Sequence, residues 1–376
     1  MIIKLTEYKD PAIYTNFFDV VIKKVAVNRD IYLEDLDISP STYKRVKNHE
    51  SKRGKLIIEK LSDHFNYKTP TDEFIDELEE KFNKIYHNVY YKIETEYEND
   101  LEYLDELLKE NYIIYPLINV FKLLILFGLH SDFKKLLNLN EKLFNDTKLF
   151  MQFYNEDFLE LFELFNILSL DNIESNIIAR NFKNELCYSA LAASLFRKER
   201  YVDCLYLSEK IKRQYIIDEN YKRIISINLN IMVCYNSLEE YESAYELSKK
   251  QMLTLDSIGT EPFYRDSAEY HYLVSCFGLG KFQEIINILD NNDEFTMKSL
   301  IMLLVSKFLI NKQAYLEYLN LLLSQELSEK SKELLRLIDD FLNQNETSAI
   351  DQLSNPKYNI PSFIINIIKK MFEVKK

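Results

Sequence analysis

Glycine and proline are scarce, at five and seven in 376 residues, and tryptophan is absent. Hairpin-rich sheets and nucleotide folds built on Gly-rich loops both consume glycine. The shortage therefore argues against them and predicts an all-α chain of helices joined by short polar turns. There is no P-loop, GxGxxG or GxSxG, and His49, His64, His87, His130 and His271 show no HExxH or other ligand spacing. No catalytic residue, metal ligand or cofactor follows, and a non-enzymatic role is expected. The four cysteines, Cys187, Cys204, Cys234 and Cys276, form no CxxC pair. Each falls in a helical apolar pattern, as reduced core thiols do. The longest apolar stretch, Phe121 to Leu129, contains Lys122 and is far shorter than the roughly 20 residues a bilayer needs. The opening MIIKLTEYKD mixes charges into its apolar residues, unlike a signal peptide. A cytoplasmic protein with no membrane partner is expected.

What is abundant is acid, and it is unevenly placed. The net charge is −13, yet residues 1–70 hold 13 Lys and Arg against 10 Asp and Glu. Residues 41–60 alone hold seven basic residues and two acidic ones. Such an island suits local contact with phosphate while the acidic remainder discourages non-specific wrapping of nucleic acid. The alternative is an ordinary solvated helix face. Residues 93–110 carry eight carboxylates and one lysine, interleaved with Tyr97, Tyr103, Leu104, Leu107 and Leu108. That spacing reads as a solvated acidic helix face rather than a paired-carboxylate hydrolase site.

The basic island lies in a recognisable context. After a first helix over 11–27, with Phe17, Phe18, Val21 and Val25 inward, comes the short amphipathic IYLEDLD, a break at Ile38, and Ser39-Pro40. Ser39 is an expected N-cap, and Pro40 sits where a missing N–H costs nothing. In the helix that follows, Tyr43 and Val46 share one face. Two short helices at a tight turn, the second polar and basic, are what a helix-turn-helix needs to enter a major groove. Ser39, Ser41, Thr42, Lys44 and Arg45 are expected at base edges and flanking phosphates, and Lys47, Lys52, Arg53 and Lys55 at phosphates. A fourth helix, LIIEKLSDHFNY, carries Leu56, Ile57, Leu61 and Phe65 as its apolar stripe.

Further along, Tyr201-x-x-Cys204, Tyr241-x-x-Ala244 and Phe282-x-x-Ile285 recur at separations of 40 and 41 residues. Each aromatic follows a polar turn (RKER, SLEE, GLGK), and Leu195, Tyr235 and Cys276 precede them by six residues. Phe133 and Tyr315 are further candidates for the same aromatic position. The pattern resembles the tetratricopeptide repeat in degenerate form. The resemblance puts the aromatics at the start of each second helix and Cys204 and Ala244 at its small-residue position, with Ile285 as a departure. Gly280 takes its turn glycine, replaced by Glu199 and Glu239. The alternative is an irregular helical bundle. In such repeats the first helix of each pair lines the inner wall of a superhelix, which makes Ser189, Arg197, Ser226, Asn230, Val233, Asn236 and Tyr270 candidate peptide contacts, beside Ala193, Phe196, Leu229 and Phe277.

A helix-turn-helix followed by degenerate repeats resembles the RRNPP group of quorum-sensing regulators, and in length the arbitrium peptide receptors of temperate phages. Asp35-Leu36, Ile38-Ser39, Ser41-Thr42-Tyr43 and the Leu56-to-Leu61 stripe carry the likeness. Acidic Glu34, Asp35 and Asp37 in the first helix of the pair depart from it, as does Lys47 where a Glu is common. The resemblance implies an N-terminal helix-turn-helix domain over 1–70, linker helices over 71–114, and a right-handed superhelix over 115–376. It further implies a homodimer that binds a double-stranded DNA operator, controlled by a short signalling peptide. A repeat scaffold or Rap-like, phosphatase-regulating protein without DNA contact is the alternative. The segment Pro361 to Val374 spaces Phe363, Ile364, Ile367, Ile368 and Phe372 helically, either to cap the array or to dimerise.

Overall fold

A computed structural model describes residues 1–129, 140–169, 175–258, 262–290, 296–324, 328–344, 347–358 and 360–373. Helices are packed in tandem, and no strand occurs among the described residues. No helix there is long and apolar enough to cross a membrane. Phe133 and Val374 lie outside the described residues.

Helix starts follow local chemistry. The Asp10 carboxylate accepts the Ala12 N–H at 2.8 Å ahead of α1 (Tyr14–Val25), with Pro11 between them. Asn28 accepts from Asp30 and Ile31 at the head of α2 (Arg29–Asp35). Ser39 and Pro40 open α3 (Pro40–Lys47), followed by α4 (Gly54–Phe65). Ser39 does not cap as expected, because its hydroxyl lies 2.8 Å from the Ser41 hydroxyl and reaches no backbone N–H. Thr71 accepts from Phe74 at 3.2 Å at the start of α5 (Asp72–Tyr91), where Asp72 and Glu73 favour the positive end of the helix dipole.

Contacts divide the chain into two compact units, Met1–Ser194 and Leu195–Lys376. In the first, α6 (Tyr97–Lys109), α7 (Tyr115–Leu129), α8 (Glu141–Lys148), α9 (Glu156–Ser169), the single turn α10 (Ser175–Ile178) and most of α11 (Glu185–Arg197) follow α5. Phe17 on α1 stacks on Phe150 with ring centroids 5.2 Å apart, and the Tyr8 hydroxyl donates to the Phe153 carbonyl at 3.1 Å. Phe82 on α5 stacks on Phe121 of α7 at 3.9 Å. Residues 1–70 thus share one core with residues up to 158, and the boundaries expected near 70 and 114 fall inside that packing. The physical reason is that α5 is no exposed linker; it buries Ile75, Leu78, Phe82, Ile85 and Val89. One of the eight carboxylates expected on a solvated face, Asp100, is buried, held by Lys81 at 2.8 Å and the Asn88 amide at 2.9 Å. Two apolar assignments also change. Val25, at the last residue of α1, and Leu56 are exposed, because α4 turns Ile57 and Ile58 inward instead.

The second unit runs through α12 (Tyr201–Ile217), α13 (Tyr221–Ser237), α14 (Tyr241–Ile258), α15 (Pro262–Gly278), α16 (Phe282–Leu289), α17 (Met297–Ile310), α18 (Lys312–Leu323), α19 (Glu329–Gln344), α20 (Thr347–Leu353) and α21 (Ser362–Glu373). Neighbours in sequence pack as pairs, and three odd-numbered helices also touch the next: α13 on α15, α15 on α17, α17 on α19. Three turns have the same backbone closure. The N–H groups of Arg200, Glu240 and Lys281 donate to the carbonyls of Leu195, Tyr235 and Cys276 at 3.0, 2.9 and 2.8 Å. The preceding residues, Glu199, Glu239 and Gly280, all take left-handed backbone with φ of 58°, 65° and 71°. This is the Schellman end of a helix, in which glycine is the unstrained choice. Cys204, Ala244 and Ile285 are each fully buried one turn into the following helix. Gly278 has a separate role, since a Cβ there would lie 2.5 Å from the Tyr241 ring. Tyr315 is the fourth residue of α18 rather than the first, because Asn311 caps that helix through Gln313 and Ala314. The apolar face of α21 is buried within this unit, with Phe372 against Phe341 at 5.0 Å.

Candidate nucleic-acid interface

Helices α2 and α3 meet at a corner in which Asp37 takes a left-handed φ of 49° and the Ile38 N–H returns to the Leu33 carbonyl at 2.8 Å. Leu33, Ile38, Tyr43 and Val46 are buried, and α2, α3 and α4 each pack on α1. The apolar face of α3 is therefore turned inward, which leaves its polar face outside. Ser39, Ser41, Lys44 and Arg45 are exposed there, with Thr42 half-buried; Lys52, Arg53 and Lys55 are exposed on the connection to α4 and at its start. Among the described residues no acidic side chain pairs with Lys44, Arg45, Lys52, Arg53 or Lys55. Five unneutralised cations within one short stretch produce a local positive field on a chain that is otherwise strongly acidic.

Lys47 departs from its expected role. Its ammonium lies 2.6 Å from Asp19 on α1, so it is committed within the protein. Asp19 also faces the Arg29 guanidinium at 3.3 Å and accepts from the Tyr43 hydroxyl at 3.2 Å, while that hydroxyl lies 2.8 Å from the Thr15 carbonyl. Burial, then the charge of Asp19, hold the Tyr43 phenol well above its ordinary range, so it remains a neutral donor. The Asp19–Arg29–Tyr43–Lys47 cluster fastens α3 to α1 and was missed by sequence reasoning. The available signal was a carboxylate beside Phe18 on the apolar stripe of α1, where an unpaired charge would be costly. The acidic Glu34, Asp35 and Asp37 of α2 and its turn are exposed, with Lys60 at 3.7 Å from Asp37.

The candidate peptide contacts are more scattered. Ser189 falls in the first unit and the others in the second. Ser189, Ser226, Asn230, Val233 and Tyr270 are half-buried and Arg197 is exposed. Asn236 differs from expectation: it is fully buried, donating to the His271 carbonyl at 3.3 Å and accepting from the Ser275 hydroxyl at 3.1 Å. The amide joins α13 to α15 and, being fully buried, presents nothing to a groove. Phe277 is likewise buried in the core. Sequence reasoning passed over His271, which stands beside the candidate Tyr270; the two each keep a buried polar atom, Nδ1 and the hydroxyl, with no partner.

All four cysteines are free and buried. No protein-family model, no curated protein and no solved structure matches the chain.

Proposed function

We propose that the protein is a sequence-specific, double-stranded DNA-binding regulator that acts as a homodimer, and that its repeats bind a short signalling peptide that alters DNA binding. The supporting observation is the outward polar face of α3, a helix fastened from behind, with Lys44 and Arg45 exposed on it and Lys52, Arg53 and Lys55 exposed just after it, none paired with an acid among the described residues. In this reading α2 and α3 form a helix-turn-helix. Arg45 reads a guanine edge, Ser41 and Thr42 supply adaptable hydrogen bonds, and the lysines fix register on phosphates. Stacked helix pairs from α11 onward form the superhelix, and peptide changes DNA affinity by favouring one curvature, to the extent of its differential affinity for the two shapes.

The test is an electrophoretic shift on the gene's own upstream DNA. Wild type is expected to retard a discrete fragment, and Lys44→Ala with Arg45→Ala to abolish the shift while the fold persists by circular dichroism. Unchanged binding by that double variant would sink the assignment. A scaffold for protein partners is the second reading, and a different surface favours it. Val202, Tyr206 and Ile217 are exposed along one face of α12, an apolar stripe suited to a helix-binding partner or a second copy.

A further inference from the structure

Unpartnered buried polar atoms occur singly at several places in the second unit, but two consecutive residues of α15 both carry one. Buried polar atoms normally have a partner, since leaving one unpaired costs about 1–3 kcal/mol. The Tyr270 hydroxyl and His271 Nδ1 are both buried and both unpartnered, and His271 is only 9% exposed. Next to them stands Lys298 near the start of α17, its ammonium 5.5 Å from the Tyr270 ring centroid and close enough to His271 to disfavour the imidazolium. Among the described residues Lys298 has no acidic partner. Lys307, further along the same helix, is by contrast paired with Asp290 at 2.7 Å.

A phenol, a neutral imidazole in its Nδ1–H tautomer and an ammonium can each donate one hydrogen bond here, and among the described residues no carboxylate pairs with them. The shared complement of such a corner is a carboxylate, which offers two oxygens and one negative charge, and binding it would satisfy the two orphaned atoms. Tyr270 and Lys298 are half-buried, which places the corner at the edge of the unit with the two orphaned atoms beneath its surface, and α15 and α17 are successive first helices of the repeat pairs.

We infer that Tyr270, His271 and Lys298 form a carboxylate-binding corner that anchors the regulatory peptide, through its C-terminal carboxylate or an acidic side chain. This rests on the peptide reading above, and the experiment separates the two. Full-length protein is immobilised and offered an equimolar random hexapeptide pool, once with free C-termini and once amidated; retained peptides are identified by mass spectrometry. The expected result is retention that falls at least tenfold in both Tyr270→Phe and Lys298→Gln, whose folding is checked by thermal melts. Loss of the amidated pool assigns the terminal carboxylate, whereas retention of amidated peptides enriched in Asp or Glu assigns a side chain. Peptides retained equally by wild type and both variants, or retained without any carboxylate, overturn the corner but keep the peptide reading. No retention by wild type overturns both.

Discussion

Replacing Asp19 by asparagine tests whether the basic helix is fastened in the way the geometry implies. The substitution keeps size and an acceptor for the Tyr43 hydroxyl but removes the charge that Lys47 meets at 2.6 Å and Arg29 at 3.3 Å. The Asp19 side chain is only 16% exposed while those of Lys47 and Arg29 are 36% and 45% exposed. The pair with Lys47 therefore lies between the surface case, at about 0–1 kcal/mol, and the charged hydrogen bond of an interior, at about 1.5–3 kcal/mol. A loss of about 1–2 kcal/mol is expected for the first unit, read as a lower urea midpoint at constant slope. Asp19→Ala should cost more, because Tyr43 then keeps only the Thr15 carbonyl, at 2.8 Å. A second consequence has the opposite sign. Lys47 is released, whereas Arg29 keeps Asp30 at 3.1 Å, so affinity for duplex DNA at low salt should rise, and the log–log salt slope should steepen by about 1 if Lys47 reaches a phosphate. A variant with unchanged stability would refute the fastening; one destabilised but with an unchanged salt slope would show that Lys47 reaches no phosphate.

Three further outcomes follow from the second unit. Glu199→Gly removes a side chain from left-handed backbone, φ 58°, at a turn closed by the same bonds as that of Gly280, and should raise stability by about 0.5–1 kcal/mol in urea titration. Gly278→Ala places a methyl 2.5 Å from the Tyr241 ring; a loss of about 1–3 kcal/mol is expected, partly rescued by Tyr241→Leu in a double-mutant cycle. Burial, then Lys298, push the His271 imidazole down to about 4. Below an unfolded value near 6.5 the unfolded chain takes up a proton that the folded one refuses, so this contribution is whole above about pH 6.5 and is lost as pH falls toward 4, by up to about 3 kcal/mol. His271→Gln should flatten that part of the curve when urea midpoints at pH 7 and pH 4.5 are compared with wild type; equal losses in both proteins would contradict it.

Much of the helical framework was legible because its signals are local. Pro40 marked the start of α3, Tyr43 and Val46 its buried face, and the 40- and 41-residue spacing of Tyr201, Tyr241 and Phe282 marked three helix starts. What escaped was set by contacts distant in sequence. Phe17 meets Phe150, and no periodicity within 1–70 announces that partner. Lys47 looked free because its partner Asp19 stands 28 residues earlier, on another helix. Asn236 looked like a groove residue because its register is right, but Ser275 and His271 on α15 already occupy its amide. The candidate DNA-facing residues were easier to find, since exposure and sign of charge depend on one short helix and not on the rest of the chain.

The recurrent corner at Glu199, Glu239 and Gly280 bears on how such an array can be recognised at all. Backbone amides close it, so its shape persists when a carboxylate stands where a hydrogen would be easier to accommodate. Each ill-suited residue adds only a modest strain, absorbed by the cores of the helices on either side. A ruler laid along main-chain torsions therefore still finds equal intervals in places where the letters of the chain have lost their rhyme.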